Sequence, residues 1–399
     1  MILKFSIRNI WRQRSRALAV LATVALGISA LMIYHGFNAG IMNQYRDNTI
    51  RARFGHGQVN TKGYRDEIWD KPWERWISPD SSFVEELKQR PEVEFVFPRI
   101  SFYALLNNGE KTLSGAGEGV DGISESKFFT TLNVIEGKIL SDEEEGIILG
   151  KGLAEALKVK VGDRVTVLAN TNAGSLNAID VYVTGIFFAG MKSFDDTFFR
   201  IQLTKAQELL DTNKVETIAL GLKHLEDWPN LESWVNQNPN FEATPFNVLD
   251  KVYYQNSVDF LQAQFGFIFI VIVVIVVLGI FNTVSTIIQE RKGEIGNLRA
   301  NGDSHNEVMT LLLTESLLLG FLGATIGVVL SYLCNWTILS QGIQMPPGPG
   351  ITRQFTTFVE LQASFIPVCY LIGIFSSVIG TAMAGKRILK LPITELLRG

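Results

Sequence analysis

The sequence predicts a membrane protein of four transmembrane α-helices, with a large α+β extracytoplasmic domain inserted between helices 1 and 2. Three observations carry this. Charged residues make up 19% of the 399, yet the runs 17–45, 260–289, 316–352 and 361–385 contain no Asp, Glu, Lys or Arg. Each is long enough for the roughly 20 apolar residues with which a helix crosses a bilayer core. The stretch 46–259, by contrast, carries 23 Lys/Arg and 33 Asp/Glu, a net of −10, on enough chain for its own core. Finally, the short basic flanks of the spans fall on one side. Collagen-like, disordered and disulfide-scaffold classes are excluded by composition and by the presence of only two cysteines.

The elements follow in order. Residues 1–16 form a basic amphipathic N-terminal segment with Lys4, Arg8, Arg12, Arg14 and Arg16. The first span, 17–37, exceeds the roughly 7–15 residues of a signal h-region and lacks a clear cleavage site after it, so it reads as an uncleaved anchor. Residues 38–259 make the extracytoplasmic domain, expected in two lobes. The second span is 260–288. Its β-branched run Ile268–Val277 would suit a buried strand in water, but its length and lack of flanking turns favour a span. Residues 289–309 connect on the cytoplasmic side, 310–339 form the third span, 340–360 an external Pro/Gly loop, 361–385 the fourth span and 386–399 a tail. Arg291, Lys292 and Arg299 lie in the 289–309 connection, and Lys386, Arg387, Lys390 and Arg398 in the tail, whereas the external loop has only Arg353. By the positive-inside rule both termini are cytoplasmic.

Within the outside domain, Ser82–Gln89, Gly152–Lys158 and Thr204–Leu210 read as short helices, Ile147–Leu149 and Val181–Phe188 as strands, and Val161–Val167 as a turn into an alternating strand. This interleaving suits an α+β domain better than a sandwich. Its acidic balance offers nothing to nucleic acid. No Walker A, HExxH, GxSxG or CxxC pattern occurs, and the four histidines lack ligand spacing, so neither catalytic nor metal-binding residues are expected. Gly117-Glu-Gly119-Val-Asp-Gly122 matches GxGxxG without its strand–helix context and reads as a glycine-rich turn. Asp142–Glu145 reads as a solvated loop before it reads as a cation site. Trp69, Trp73 and Trp76, set around Pro72, are either buried packing or a contact for cargo, lipid or membrane. Met345-Pro-Pro-Gly-Pro-Gly350 is a stiff external connector or a partner contact.

The most informative stretch is Glu290–Glu307. Glu290, Glu294 and Leu298 are spaced by one turn and suit a short helix ending near Gly302, and Ser304 with Glu307 forms a capping box for the next helix. Span, short helix, tight turn and span make a protruding foot. Glu315, near the cytoplasmic end of span three, is costly unless paired and is expected to support that foot. Small residues at four-residue spacing, Gly323, Gly327 and Ser331, then Ser376, Gly380 and Ala384, predict close packing of the hairpin of spans three and four.

Asn282–Leu333, with Glu290-Arg291, Glu294-Ile295-Gly296, Leu298-Arg299-Ala300 and Thr314-Glu315-Ser316, resembles the FtsX-like permease family of ABC transporters. That group includes lipoprotein-release, macrolide-exporter and division-associated permeases. Gly150-Lys-Gly-Leu-Ala154 followed by Val161-Gly-Asp163 resembles the family's periplasmic domain, and the four-span layout is similar too. Asn301 departs from the usual aliphatic residue before the foot glycine, and the C-terminal pattern is reduced to Pro392…Leu397-Arg398.

The resemblance implies a non-catalytic, multi-pass permease subunit of the bacterial inner membrane, with its large domain in the periplasm. Glu290, Arg291, Glu294, Ile295, Leu298 and Arg299 would form or support the helix that docks an ATPase. ATP and Mg would belong to a pair of partner ATPase subunits, with no cofactor in this chain. A second permease copy or paralogue would complete the assembly through spans one and two, with membrane lipids and a periplasmic protein as further partners. The expected function is ATP-driven extraction or movement of lipoprotein, lipid or other apolar envelope cargo. The alternatives are regulation of a periplasmic partner such as a cell-wall hydrolase, macrolide or peptide efflux, and a receptor that uses no ATPase.

Overall fold

The computed structural model describes residues 8, 14–66, 71–78, 81–130, 132–140, 146–346 and 354–398. Most of the N-terminal segment, Trp69, the 141–145 run and the core of the Pro/Gly loop therefore lie outside the described residues. The chain divides into two compact units. Among the described residues, one is built on four helices long and apolar enough to cross a membrane; the other is essentially Gln44–Val258.

The membrane helices run Arg14–Thr49, Asn256–Glu290, His305–Thr337 and Ile366–Leu389. The first continues well past Phe37, because Asn38–Thr49 holds no proline or flexible pair to stop it. Helices three and four form a hairpin whose seam is small and polar. The Ser316 hydroxyl donates to Leu312 O and shares a hydrogen bond with the Thr381 hydroxyl, and Gly320 lies against the Gly373 carbonyl. Here the expectation about the glycine stripe needs correcting. Gly323 and Gly327 do not serve this hairpin. They face helix one, where an added Cβ would stand 2.7 Å from Val24 Cβ and 2.7 Å from Ala25 O, respectively. Gly380 faces helix two, against Phe281 and Val284. Two or more helices press on each of helices three and four, so each carries more than one small-residue seam. Gly327→Leu is expected to destabilise the membrane unit by about 1–3 kcal/mol through overpacking, read as a lower thermal midpoint in detergent. An unchanged midpoint would refute the seam.

A second small pair is on helix one. Gly36 and Gly40 let the segment Phe358–Glu360 cross close by, and Glu360 N donates to Gly36 O at 3.0 Å. Asn43 also donates to the Glu360 carboxylate, at 2.5 Å.

Among the described residues the outside unit has ten strands: β1 Gly57–Thr61, β2 Val93–Asn107, β3 Thr112–Val120, β4 Asn133–Gly137, β5 Gly146–Gly150, β6 Arg164–Asn170, β7 Leu176–Phe188, β8 Phe198–Gln202, β9 Thr217–Leu222 and β10 Phe241–Pro245. Strand β2 is the spine. Its first half pairs with β9 and its second with β3 and β6. Six strands then close on themselves in the order β2–β3–β8–β5–β7–β6–β2, with β3–β8 and β5–β7 parallel. Alternation along the strands fills this barrel with Ile100, Leu106, Ile147, Leu149, Val165, Val167, Val181, Val183, Phe199 and Ile201. A second core, with Val59, Ile218, Leu220, Trp228 and Leu231, packs under β1, β9 and β10. The first and last strands of the unit, β1 and β10, are direct neighbours, with Gly57 opposite Pro245.

The Gly117–Gly122 motif is corrected as well. It is not a turn: β3 runs straight through to Val120. Gly115, Gly117 and Gly119 alternate inward where the Phe199 ring, Ile100 and Ala206 leave no room for a side chain. Glu118 consequently points out of the barrel.

Each connection to the membrane helices contains a π-helical turn, Ile50–Phe54 and Lys251–Gln255. Gly55, at φ 68°, ends the first. His56 follows, accepting a hydrogen bond from Leu222 N at 3.0 Å and lying against Phe128. Burial, then the nearby Arg51 charge, lowers its pKa to about 4. Since this is below the unfolded value of about 6.5, the neutral ring stabilises the unit above that pH. The contribution drains away as pH falls from about 6.5 toward 4, at up to about 1.4 kcal/mol per pH unit, a ceiling because the ring is partly exposed. The thermal midpoint of the outside unit should therefore drop across that window, and His56→Asn should flatten the slope. Equal slopes in the two proteins would remove His56 from the account.

Candidate functional site

The foot is built from three breaks in helical regularity. Helix two ends at Glu290, and Arg291 sits at φ −93°, ψ 10°, tilting the short coupling helix Lys292–Ala300 away from the span. Asn301 and Gly302 stop that helix. Gly302 N donates to Arg299 O and Asp303 N to Leu298 O, both at 3.2 Å, with Gly302 at φ 104°; this is a Schellman arrangement that only glycine adopts without strain. Ser304 then caps helix three in a capping box with Glu307, as its spacing predicts.

Charge holds the coupling helix in place. Arg291, 8% exposed, donates from Nε to Glu294 at 3.1 Å and from its guanidinium to Glu315 at 2.5 Å. Glu315 is 4% exposed and thus sits in the foot as a buried counter-ion. Arg16, at the start of helix one, donates to Glu290 at 3.1 Å and lies 4.0 Å from Glu294. The foot is tied to helices one and three as well as to the helix it follows.

Packing completes it. Ile295 is buried with Ile288, Val308, Leu312, Ile388 and Leu396. Gly296 is the seat for a C-terminal helix, Ile393–Arg398: a Cβ at Gly296 would stand 3.0 Å from Leu396 Cβ. A His305 ring nitrogen lies 2.9 Å from Leu389 O, joining the foot to the end of helix four.

The structure therefore sorts the six residues singled out in the foot. Arg291 and Ile295 face inward and hold the helix. Glu294, Leu298 and Arg299 are half-buried, and Glu290 is exposed but paired with Arg16. Asn297, Ala300 and the turn Asn301–Ser304 are the exposed surface. Sequence reasoning missed Arg16 as a partner and the C-terminal helix as a neighbour. Arg16 had been counted only as one of five basic residues.

In the outside unit, Trp76 is buried in the barrel core and Trp73 packs partly against it, so these two rings are occupied by packing. A second missed cluster lies between the barrel and the first π-helical turn. Arg99, Glu118, Glu125 and Arg200 are all buried. Arg99 donates to both oxygens of Glu125 at 2.5 and 2.9 Å, to Glu118 at 3.3 Å, and to the Arg53 carbonyl. Arg200 lies 2.6 Å from Glu118 and 3.0 Å from Glu125. The Arg99 guanidinium also covers the Phe129 ring, 4.2 Å from its centroid. Burial pushes the Glu118 carboxyl up, but Arg99, Arg200 and Arg53 together outweigh it and hold the group below its ordinary range. Among the described residues, no group of His, Cys, Asp and Glu is arranged to hold a metal.

A family model described as MacB-like periplasmic core domain matches residues 17–237, and one described as FtsX-like permease C-terminal matches residues 266–393. The lipoprotein-releasing system transmembrane protein LolE of Haemophilus influenzae is 26% identical over 370 residues, covering 86% of this chain and 83% of the relative. The corresponding LolC of Neisseria meningitidis is 26% identical over 331 residues, covering 80% and 76%. The crystal structure of the periplasmic region of MacB from Actinobacillus actinomycetemcomitans covers 49% of this chain and 92% of its own, at 12% identity and a TM-score of 0.36.

Proposed function

The chain belongs to the family of ABC transporter permeases that join a MacB-like periplasmic core domain to an FtsX-like permease domain, and from this we propose that it turns the motion of a partner ATPase into work on lipid-anchored protein in the periplasm. It is a permease of the LolC/LolE/MacB type, in the inner membrane, with its β-rich unit in the periplasm. The reading rests chiefly on the foot. A short helix held at its start by the buried Arg291–Glu315 pair and packed on the spans through Ile295 would move with the spans that hold it. ATP and Mg would bind in the ATPase, whose closure moves the foot, and the spans carry that movement outward. A second copy or a paralogue would supply the other half of the assembly.

Two observations favour lipoprotein over a solute as cargo. The spans hold almost no charge to line a polar pore, Glu315 being paired with Arg291 in the foot, and they pack through small-residue seams. The lipoprotein-releasing relatives also align along most of their length. The test is reconstitution of the full chain, with the ATPase that co-purifies with it, in vesicles carrying a fluorescent triacylated lipoprotein. Release to a soluble acceptor should require hydrolysable ATP. ATP turnover with no release would overturn the cargo assignment, and a purified complex devoid of ATPase would overturn the coupling itself.

A further inference from the structure

The coupling helix has a shortage that its neighbour can supply. It is nine residues long, and its two large apolar residues are turned to the membrane-unit core, Ile295 buried and Leu298 half-buried against it. Its exposed positions are Asn297 and Ala300, one polar and one small. Protein interfaces generally need a well-desolvated anchor side chain at their centre, and neither residue provides one.

Leu397 does. It belongs to the C-terminal helix, whose adjacent Leu396 is 1% exposed and plugged in over Gly296. Leu397 itself is 49% exposed, and its Cδ2 lies 3.2 Å from where a Gly296 Cβ would stand. This places an exposed leucine beside the coupling helix, one position from Asn297 and one turn from Ala300. Lipid is a poor occupant for it. Leu397 lies beyond the basic residues Lys386, Arg387 and Lys390 that close the last span, and so on the aqueous side of the headgroups.

We propose that the ATPase docks on a composite of two helices, the coupling helix Lys292–Ala300 and the C-terminal helix Ile393–Arg398, with Leu397 as the apolar contact that the exposed positions of the coupling helix lack. The inference rests on the permease reading above and names a contact beyond the coupling helix. It also gives the Pro392…Leu397-Arg398 ending a role. Leu396 fastens the helix to Gly296, and Leu397 faces the partner.

The test uses the full chain, purified from its native membrane in mild detergent with its accompanying ABC ATPase. Leu397→Asp should lower the recovered ATPase at least fivefold while the amount of permease in the membrane is unchanged, and Leu397→Met should restore it. Ala300→Asp is the control on the coupling helix. Full recovery of ATPase with Leu397→Asp, alongside loss with Ala300→Asp, would overturn the composite surface and leave the coupling helix standing. Full recovery with both would overturn the docking reading itself. Should Leu397→Asp reduce the permease level, Leu397→Cys and Ala300→Cys carrying a short photo-crosslinker decide the matter. An ATPase adduct at both positions supports the proposal, an adduct at Ala300 alone overturns it, and none at either removes the foot as the docking site.

Discussion

Arg99→Met is expected to destabilise the outside unit by about 3–5 kcal/mol, the usual consequence of removing one partner from a buried ion pair. Glu118 and Glu125 would then face each other with Arg200 as their remaining close guanidinium, and the Arg53 carbonyl at the π-helical turn would lose its donor. The readout is denaturant unfolding of the full chain in detergent, followed by fluorescence of the tryptophans packed in this unit. Arg99→Met combined with Glu125→Leu removes one charge of each sign. It should recover much of the loss, because the remaining Arg200–Glu118 pair is neutral together. A change below about 1 kcal/mol for the single variant would mean that water screens the cluster despite its burial.

Arg291→Met should have a comparable effect at the opposite side of the membrane. It takes the guanidinium from Glu315 inside the foot and from Glu294 at its edge. A cost of about 3–5 kcal/mol in local order is expected, together with at least a tenfold fall in ATP-dependent activity. The double variant Arg291→Met, Glu315→Met separates two explanations. If the stranded carboxylate is the defect, the double variant regains ATPase recovery. If Arg291 itself touched the ATPase, recovery would stay low, and its placement as an inward-facing support would be wrong.

These two sites differ in how far the sequence disclosed them. The foot was legible because its signals are local: a hydropathy run that stops at Glu290, a glycine at Gly302, and Ser304 three positions before Glu307. Even Glu315 announced itself as a carboxylate in an apolar run. The cluster around Arg99 was not legible, since its members are spread over about a hundred residues and meet only after β2, β3 and β8 have paired. One signal was available in Phe198-Phe-Arg-Ile-Gln202, where a guanidinium sits among inward-facing apolar residues and must find a partner. Barrel closure was equally hidden, because β2 meets β6 across some sixty residues of intervening chain. Gly323, Gly327 and Gly380 were found on the right helices but assigned to the hairpin, whereas they face helices one and two. Four-residue spacing identifies one face of a helix; it does not say which helix lies opposite. Gly320 and Gly323 are three positions apart, roughly 60° around the axis, enough to look toward different helices. Trp76 was ambiguous for a related reason, since an aromatic among charges in sequence can still turn inward in space.

The pairing of Gly57 in β1 with Pro245 in β10 has an evolutionary consequence. Chain enters and leaves the folded unit side by side, the arrangement in which one domain is most easily spliced into another. Nearly two hundred residues separate those two strands, yet they could be lengthened, shortened or exchanged for another fold while the points of attachment stayed put. A lineage could thus retain one engine in the membrane and refit its outer module for new tasks.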